Sequence, residues 1–199
     1  MASEFSDDFN RSNSDSLGSD WNEHTGDIDI ASNVANTQGL EAPYNWSEAR
    51  ATTALSDVEH YAEADFVGDG GVFVRANSAL DTYYVIQFKI ANNQLYIYRF
   101  NSGSIDVVTS GAACVASDGD TCRVEITTES TYVEIKSYVN DVLKNTTQDN
   151  HVNRLTTGDY AGIWARSTTS THDNYDSGTL GVDTSVKDLL GTGIIPFAR

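Results

Sequence analysis

Alternation of apolar and polar residues dominates the middle of this chain. Three runs between Val72 and Phe100 are rich in Val, Ile, Tyr and Phe, with Asn, Ser and Asp between them. This pattern predicts three antiparallel strands joined by short turns. One face of the central run carries Tyr84, Ile86, Phe88 and Ile90, and the other carries Tyr83, Val85, Gln87 and Lys89. Because the second face is only half polar, this strand is expected inside a sheet with both faces covered or used.

The rest of the chain predicts further short strands. An opening element over 5–9, alternating runs at 27–31, 48–55 and 58–67, and closing runs at 160–166 and 172–180 all have strand character. In the run at 160–166, Trp164 points away from Ala161, Ile163 and Ala165. The segments 122–128 and 132–139 predict a hairpin whose inward residues are Val124, Ile126, Val133 and Ile135. Many short strands with polar turns predict an all-β sandwich of two antiparallel sheets.

The end of the chain differs in character. Residues 1–182 are expected to form the sandwich domain, and residues 183–199 a short helix and tail. Ser185 and Asp188 have the spacing of a capping box, and Gly191 can end the helix. The apolar residues Ile194, Ile195, Pro196 and Phe197 either pack back on the domain or dock onto a partner, and we favour docking.

Composition and charge narrow the classes of partner. The chain has 199 residues, which suits one domain, with 29 acidic against 12 basic residues and a formal net charge of -17. Such a surface repels phosphate backbones and anionic lipids, so we expect neither nucleic-acid nor membrane binding. No run approaches the roughly 18 apolar residues of a membrane span, and the first residues do not resemble an export signal. Cys114 and Cys122 bracket a Gly/Asp loop and either form a disulfide that closes a hairpin or remain two reduced, partly buried thiols.

The order of elements from Phe9 to Leu180 resembles the concanavalin A-like lectin and glucanase jelly rolls, especially their laminin-G-like and laminarinase-like branches. The stretches that carry the resemblance are DDFNRSNSDSLGSDW, GVFVRANSALDTYYVIQF with LYIYRFNSG, VEIKSYVNDVL and GDYAGIWARSTTSTHDNYDSG. The resemblance implies a jelly-roll β-sandwich whose opening strand lies beside its closing strand. It also implies a structural calcium ion where those strands meet, held by Asp7 or Asp8 together with Asp173. The alternative is that these aspartates serve only as turn residues.

A glycan-binding surface of this fold needs exposed aromatic rings with amides and charges beside them. The candidates are Tyr83, Tyr96, Tyr98, Arg99, Trp164 and Arg166, if they share one face of the concave sheet. The alternative is that these aromatic residues simply cover the second face of the sheet.

Catalysis is not predicted. A retaining glucanase needs two carboxylates about 5 Å apart, supplied in such folds by Glu-x-Asp-x-x-Glu on one strand, and the chain lacks this motif. Asp27 and Asp29 come without a glutamate, and Glu59, Glu63 and Asp65 share a face at the wrong spacing. Like charges two residues apart on a strand are typical of a solvated face.

These features together predict a non-enzymatic structural or adhesion module of a virus particle. A tailed bacteriophage is the expected source, with the protein decorating the capsid or attached to the tail. Its partners would be other virion proteins, in a homo- or hetero-oligomeric assembly, and host-surface glycans. The alternatives are a divergent glycoside hydrolase and a secreted carbohydrate-binding module. The fold alone does not choose between them.

Overall fold

Two antiparallel sheets packed face to face form the described part of the protein. The computed structural model describes residues 1–42 and 45–181. The strands are β1 (Ala2–Asp7), β2 (Trp21–Thr25), β3 (Asp27–Ala31), β4 (Val34–Gly39), β5 (Ser47–Ala51), β6 (His60–Val67), β7 (Asp69–Ala76), β8 (Thr82–Lys89), β9 (Gln94–Asn101), β10 (Ser104–Ala113), β11 (Asp120–Thr128), β12 (Val133–Val139), β13 (Val142–Asp149), β14 (Tyr160–Ala165) and β15 (Thr171–Thr179). The predicted all-β sandwich is confirmed.

The two sheets have unequal membership. The eight-stranded sheet has the order β13-β12-β11-β6-β15-β4-β3, with β1 added beside β15. The seven-stranded sheet has the order β10-β9-β8-β7-β14-β5-β2. Strands distant in sequence are therefore neighbours, as β6 and β15 show, which is the consequence of a jelly-roll connection rather than a simple meander.

The inner faces of the two sheets enclose one apolar core. Tyr84, Ile86 and Phe88 of the central strand β8 point into it, as their alternation predicts. The hairpin of β11 and β12 is paired in register from Cys122 opposite Val139 to Thr128 opposite Val133. Its four predicted inward residues, Val124, Ile126, Val133 and Ile135, are fully buried.

The opening and closing strands pair as expected. Asp7 of β1 lies opposite Tyr175 of β15. An aromatic cluster closes this end of the core, with ring centroids 5.4 Å apart for Phe5 and Trp21 and 5.0 Å apart for Trp21 and Tyr175. The indole N–H of Trp21 donates to the Asp7 carboxylate at 2.7 Å.

Several element boundaries differ from the predictions. The opening strand ends at Asp7, because Phe9 has a left-handed backbone with φ of 50°. The predicted strand at 48–55 stops at Ala51. Ile90 lies outside β8, in a 3-10 turn over Ile90–Asn92 that is followed by Asn93 with φ of 54°. Ile90 is therefore only partly buried against the core.

Three sequence predictions concern regions or bonds outside the strands. Cys114 and Cys122 are both free and buried, and burial raises the pKa of both thiols. The predicted helix at 185–191 and the docking residues Ile194, Ile195, Pro196 and Phe197 lie outside the described residues. Within 1–42 and 45–181, no helix is long and apolar enough to cross a bilayer.

Candidate glycan-binding face

The outer faces of the two sheets differ sharply in chemistry. On the eight-stranded sheet the outer face is charged, with Arg123 within 3.7 Å of Glu63 and 3.3 Å of Glu125. The outer face of the seven-stranded sheet instead carries a second apolar cluster. We call this the outer aromatic cluster, and its buried members are Trp46, Phe73, Ala76, Leu80, Tyr83, Val85, Phe100 and Trp164. These side chains bury one another, so they form a packed layer beneath the outer face of this sheet.

Local sequence explains why the rings fit on this face. Gly162 of β14 has no side chain, and a Cβ there would lie 2.4 Å from the Phe73 ring on the neighbouring strand. The Phe73 ring can therefore lie across β14. Trp46, which precedes β5, places its ring centroid 5.1 Å from that of Phe100 and 6.4 Å from that of Trp164. The cluster thus joins side chains from both halves of the sheet.

Two tyrosines remain partly exposed beside this cluster. Tyr96 and Tyr98 are two residues apart on β9, so both point to the outer face. Their ring centroids are 6.2 Å apart and their planes differ by 7°. The Tyr96 hydroxyl donates to Gln94 at 2.9 Å, and the Tyr98 hydroxyl donates to Gln87 at 3.4 Å. The two rings are thus parallel, partly exposed and fixed by hydrogen bonds, and an exposed aromatic ring can stack against a sugar face.

A groove crosses the outer face and includes these rings. It consists of three depressions of about 430, 360 and 280 Å³. The first two share Tyr98 and Arg166, and the second and third share Trp46 and Phe100. We call the whole feature the outer groove. Its first depression contains Gln87, Lys89 and Asp69, and its third contains His24, Glu41, Glu48 and Asp81.

The structure places the six predicted glycan-binding residues in three different environments. Tyr96, Tyr98 and Arg166 line the outer groove and keep some exposure. Tyr83 and Trp164 lie on the same face but are buried, at 2% and 1% exposure, so they form the floor rather than a stacking surface. For these two, covering the second face of the sheet is the role that the structure shows.

Arg99 does not lie on the outer face, contrary to the prediction. Odd and even residues of β9 point to opposite faces, and Arg99 lies opposite Tyr84 on the inner face. Its guanidinium donates to Asp149 at 2.6 Å and to Asp106 at 2.7 Å. With 2% exposure and two carboxylate partners, Arg99 stabilises the fold and cannot reach a ligand in the outer groove.

One carboxyl group is buried at the third depression. Glu48 of β5 is 2% exposed and accepts a hydrogen bond from the Tyr83 hydroxyl at 2.7 Å. Its other oxygen lies 3.0 Å from Nδ1 of His24. Burial raises the pKa of Glu48, and the hydrogen bonds from Tyr83 and His24 oppose this rise without cancelling it. Because Glu41 and Asp81 line the same depression, carboxyl groups are concentrated at this end of the groove.

The predicted calcium ligands lie at the junction of β1 and β15, away from the outer groove. An open polar hollow there is lined by Asp7, Asp8 and Asp176, among others. The Asp7 carboxylate already accepts hydrogen bonds from Arg11 at 2.6 and 3.0 Å and from Trp21. Burial raises the pKa of Asp7, but these hydrogen bonds outweigh it and leave the pKa lowered.

Asp8 and Asp173 also have local partners. Asp8 accepts from the backbone N–H of Asn10 at 3.0 Å, and Asp173 from that of Asn174 at 2.8 Å. Burial raises the pKa of Asp173, with smaller contributions from Asp65 and Asp8. Across residues 1–42 and 45–181, no three or more His, Cys, Asp or Glu side chains are grouped so as to hold a metal ion. A calcium ion at this junction stays a prediction.

Comparisons with known proteins bear on the fold. No protein-family profile matches the sequence, and no curated protein is significantly similar to it. Among solved structures, the carbohydrate-binding module CBM66 from Bacillus subtilis superposes with a TM-score of 0.59 at 15% identity, over 80% of this chain and 96% of that one. A β-glucanase from Bacillus licheniformis gives a TM-score of 0.53 at 14% identity, over 90% and 99% of the two chains. The fold is a jelly-roll β-sandwich.

A third jelly roll comes from a virus. The CBM2 module of the evolved Dit protein of Lactobacillus casei BL23 phage J-1 has a TM-score of 0.51 at 8% identity, over 87% of this chain and 93% of that one. At such identities the similarity of these three structures establishes the jelly roll and nothing about ligand or reaction.

Sequence reasoning missed several residues of the outer groove. Gln87 and Lys89 fall on the same face of β8 as Tyr83 in the alternation, so the pattern could have identified them. Trp46 lies in a turn-rich segment with no periodicity, and nothing in the sequence indicates that its ring reaches Phe100. Asp69 opens β7 opposite Lys89, which depends on strand pairing.

Proposed function

We propose that this protein is a non-catalytic carbohydrate-binding module that holds an extended glycan in the outer groove. The observation that carries the proposal is the parallel pair Tyr96 and Tyr98 beside a groove of three linked depressions. Stacked rings supply apolar contact for sugar faces, and Gln87, Lys89 and Arg166 supply polar groups for hydroxyls. A groove rather than a closed pocket suits a chain that extends at both ends.

The direct test is glycan binding by wild-type protein and tyrosine variants. A glycan array identifies a ligand, and titration calorimetry then measures its affinity. We expect Tyr96→Ala and Tyr98→Ala each to weaken binding by about tenfold, equivalent to about 1.4 kcal/mol. The matched control is Tyr138→Ala, which removes a partly buried tyrosine from the charged outer face. Equal losses in all three variants, or no glycan bound at all, would refute the proposal.

A second candidate is glycoside hydrolysis, and Glu48 is the observation that favours it. A buried carboxyl group with a raised pKa can serve as a general acid, and Glu41 and Asp81 line the same depression. We favour binding alone because Glu48 is already engaged by Tyr83 and His24. Release of reducing sugar from a bound polysaccharide, abolished in Glu48→Gln, would establish the hydrolase instead.

The setting that we propose is a virus particle, on which the jelly roll would display the outer groove towards host-surface glycans. Support comes from the phage J-1 module of the same fold and from the strongly acidic surface, which suits a protein exposed to solvent and repelled by nucleic acid. Antibodies against the protein should label purified particles from the source culture. Labelling confined to the particle-free supernatant would favour a secreted binding module.

A further inference from the structure

Some of the Lys and Arg side chains in residues 1–42 and 45–181 pair with a carboxylate and others do not, and two of those that do not, Lys89 and Arg166, lie in the outer groove. Arg11, Arg99, Arg123 and Lys136 all form ion pairs with Asp or Glu side chains. Among the described residues, Lys89 and Arg166 form no ion pair, and the same is true of Arg50, Arg75, Lys144 and Arg154. What distinguishes Lys89 and Arg166 is their position in the groove. Both line the first depression of the outer groove, which we call the cationic end.

The cationic end is built around the stacking surface. The Lys89 ammonium lies 5.9 Å from the centroid of the Tyr96 ring. Arg166 lies close to Tyr98. Burial raises the pKa of Tyr98, and the positive charge of Arg166 opposes this rise. Asp69 is the acidic residue of this depression, so two positive charges face one negative charge. The side chains that line this depression therefore carry a formal net charge of +1, within a protein of net charge -17.

A buried amide adds directional hydrogen-bonding capacity. Gln87 is 3% exposed, and its carbonyl oxygen accepts from Tyr98 at 3.4 Å. Its amide nitrogen donates to no group in the described part of the chain. A donor held in place at the floor of a groove, beside two cations and two rings, matches an acceptor-rich anionic group on a flat ligand.

We infer that the cationic end binds a hexuronate residue of the glycan. The ring faces of a hexuronate can stack on Tyr96 or Tyr98, while its carboxylate accepts hydrogen bonds from Lys89, Arg166 and the Gln87 amide. A neutral hexose in the same place offers hydroxyls but no charge to pair with the two cations. The inference rests on the proposed function, because it specifies the sugar class for the same groove.

The experiment compares matched uronate-containing and neutral oligosaccharides on one array, followed by calorimetry of the strongest ligand of each kind. Wild-type protein is expected to prefer the uronate ligand by about tenfold or more. This preference should shrink between low and high salt, because ionic contacts are screened. Lys89→Gln and Arg166→Gln should each reduce the ratio of uronate to neutral affinity by about fivefold.

Lys144→Gln is the matched control. It removes one positive charge from an exposed position on β13, in the other sheet, and so changes the net charge equally without touching the groove. It should leave the ratio unchanged. Neutral ligands bound as tightly as uronates, or a ratio unaffected by Lys89→Gln and Arg166→Gln, would overturn the uronate inference while the glycan-binding proposal stands. Absence of binding to every glycan would overturn both.

Discussion

Single residues of this protein take their roles from the face of the sheet that they occupy. Arg99 and Tyr98 are adjacent in sequence, yet Arg99 is buried between the sheets and Tyr98 lines the outer groove. On the inner side, Asp149 accepts from Tyr84 at 2.6 Å and from Arg99 at 2.6 Å. Burial raises the pKa of Asp149, but these hydrogen bonds outweigh it and leave the pKa lowered.

The hydrogen bonds of Asp149 with Tyr84 and Arg99 lead to a prediction about stability. Asp149→Asn should lower the free energy of unfolding by about 3 kcal/mol, because it leaves the buried charge of Arg99 poorly compensated. Asp106→Asn is the matched control, because Asp106 binds the same guanidinium but is 50% exposed. This substitution should lower the free energy of unfolding by less than about 1 kcal/mol. Urea unfolding followed by tryptophan fluorescence measures both. Equal losses would mean that Asp149 contributes no more than a surface partner.

At the scale of elements, β14 connects the outer face to the core. It lies between β7 and β5, with Ile163 buried in the core and Trp164 buried in the outer aromatic cluster. Gly162 lies between Phe73 of β7 and Arg50 of β5 in the paired strands. The absence of a side chain there lets neighbouring strands keep their spacing while the Phe73 ring crosses the strand.

We therefore predict that Gly162→Ala is strongly destabilising. The added methyl would lie 2.2 Å from the Ala49 carbonyl oxygen and 2.4 Å from the Phe73 ring, so backbone and ring would both have to move. The expected loss is about 3 kcal/mol in thermal or urea unfolding. Gly39→Ala is the control. A Cβ at Gly39 would have the Asp27 Cβ as its nearest neighbour, at 3.4 Å, so this substitution should change stability little. A Gly162→Ala variant as stable as wild type would show that the Phe73 ring repacks freely.

At the scale of the whole molecule, two buried histidines make the stability of the fold depend on pH. His60 and His172 are fully buried, and burial lowers the pKa of each to about 4. His60 accepts from the Arg75 backbone N–H at 3.0 Å, and Nε2 of His172 lies 3.1 Å from the Trp164 carbonyl oxygen. Both rings are therefore neutral parts of the packed interior.

The sign of their pH dependence follows from proton linkage. Between pH 6.5 and about 4 the unfolded chain binds protons at these histidines and the folded protein does not, so stability falls as the pH falls through this window. Glu48 and Glu63 act in the opposite direction, because burial raises their pKa in the folded state. The net slope of the wild-type protein combines both effects.

Variants isolate the histidine contribution. His60→Gln and His172→Gln should each make the difference in unfolding free energy between pH 7.5 and pH 5 smaller by about 2 kcal/mol, whatever their stability at neutral pH. His151→Gln, which removes an exposed histidine, should cause no comparable change. Urea titrations at the two pH values give the comparison. An unchanged difference in the His172 variant would mean that this ring is protonated or solvated in the folded protein.

The sequence by itself determined the strands, the two-layer sandwich and the facing of most side chains, because a period of two is fixed by the backbone of a strand. It also nominated Tyr96, Tyr98 and Arg166 for the groove, on the condition that they share one face of the sheet. The tertiary structure decided which of these residues a ligand can reach. Strand order brings Arg166, which directly follows β14, close to Tyr98 on β9. Packing buries Tyr83 and Trp164, and Arg99 binds Asp149. Long-range pairing and burial depend on the whole chain, so no local pattern encodes them.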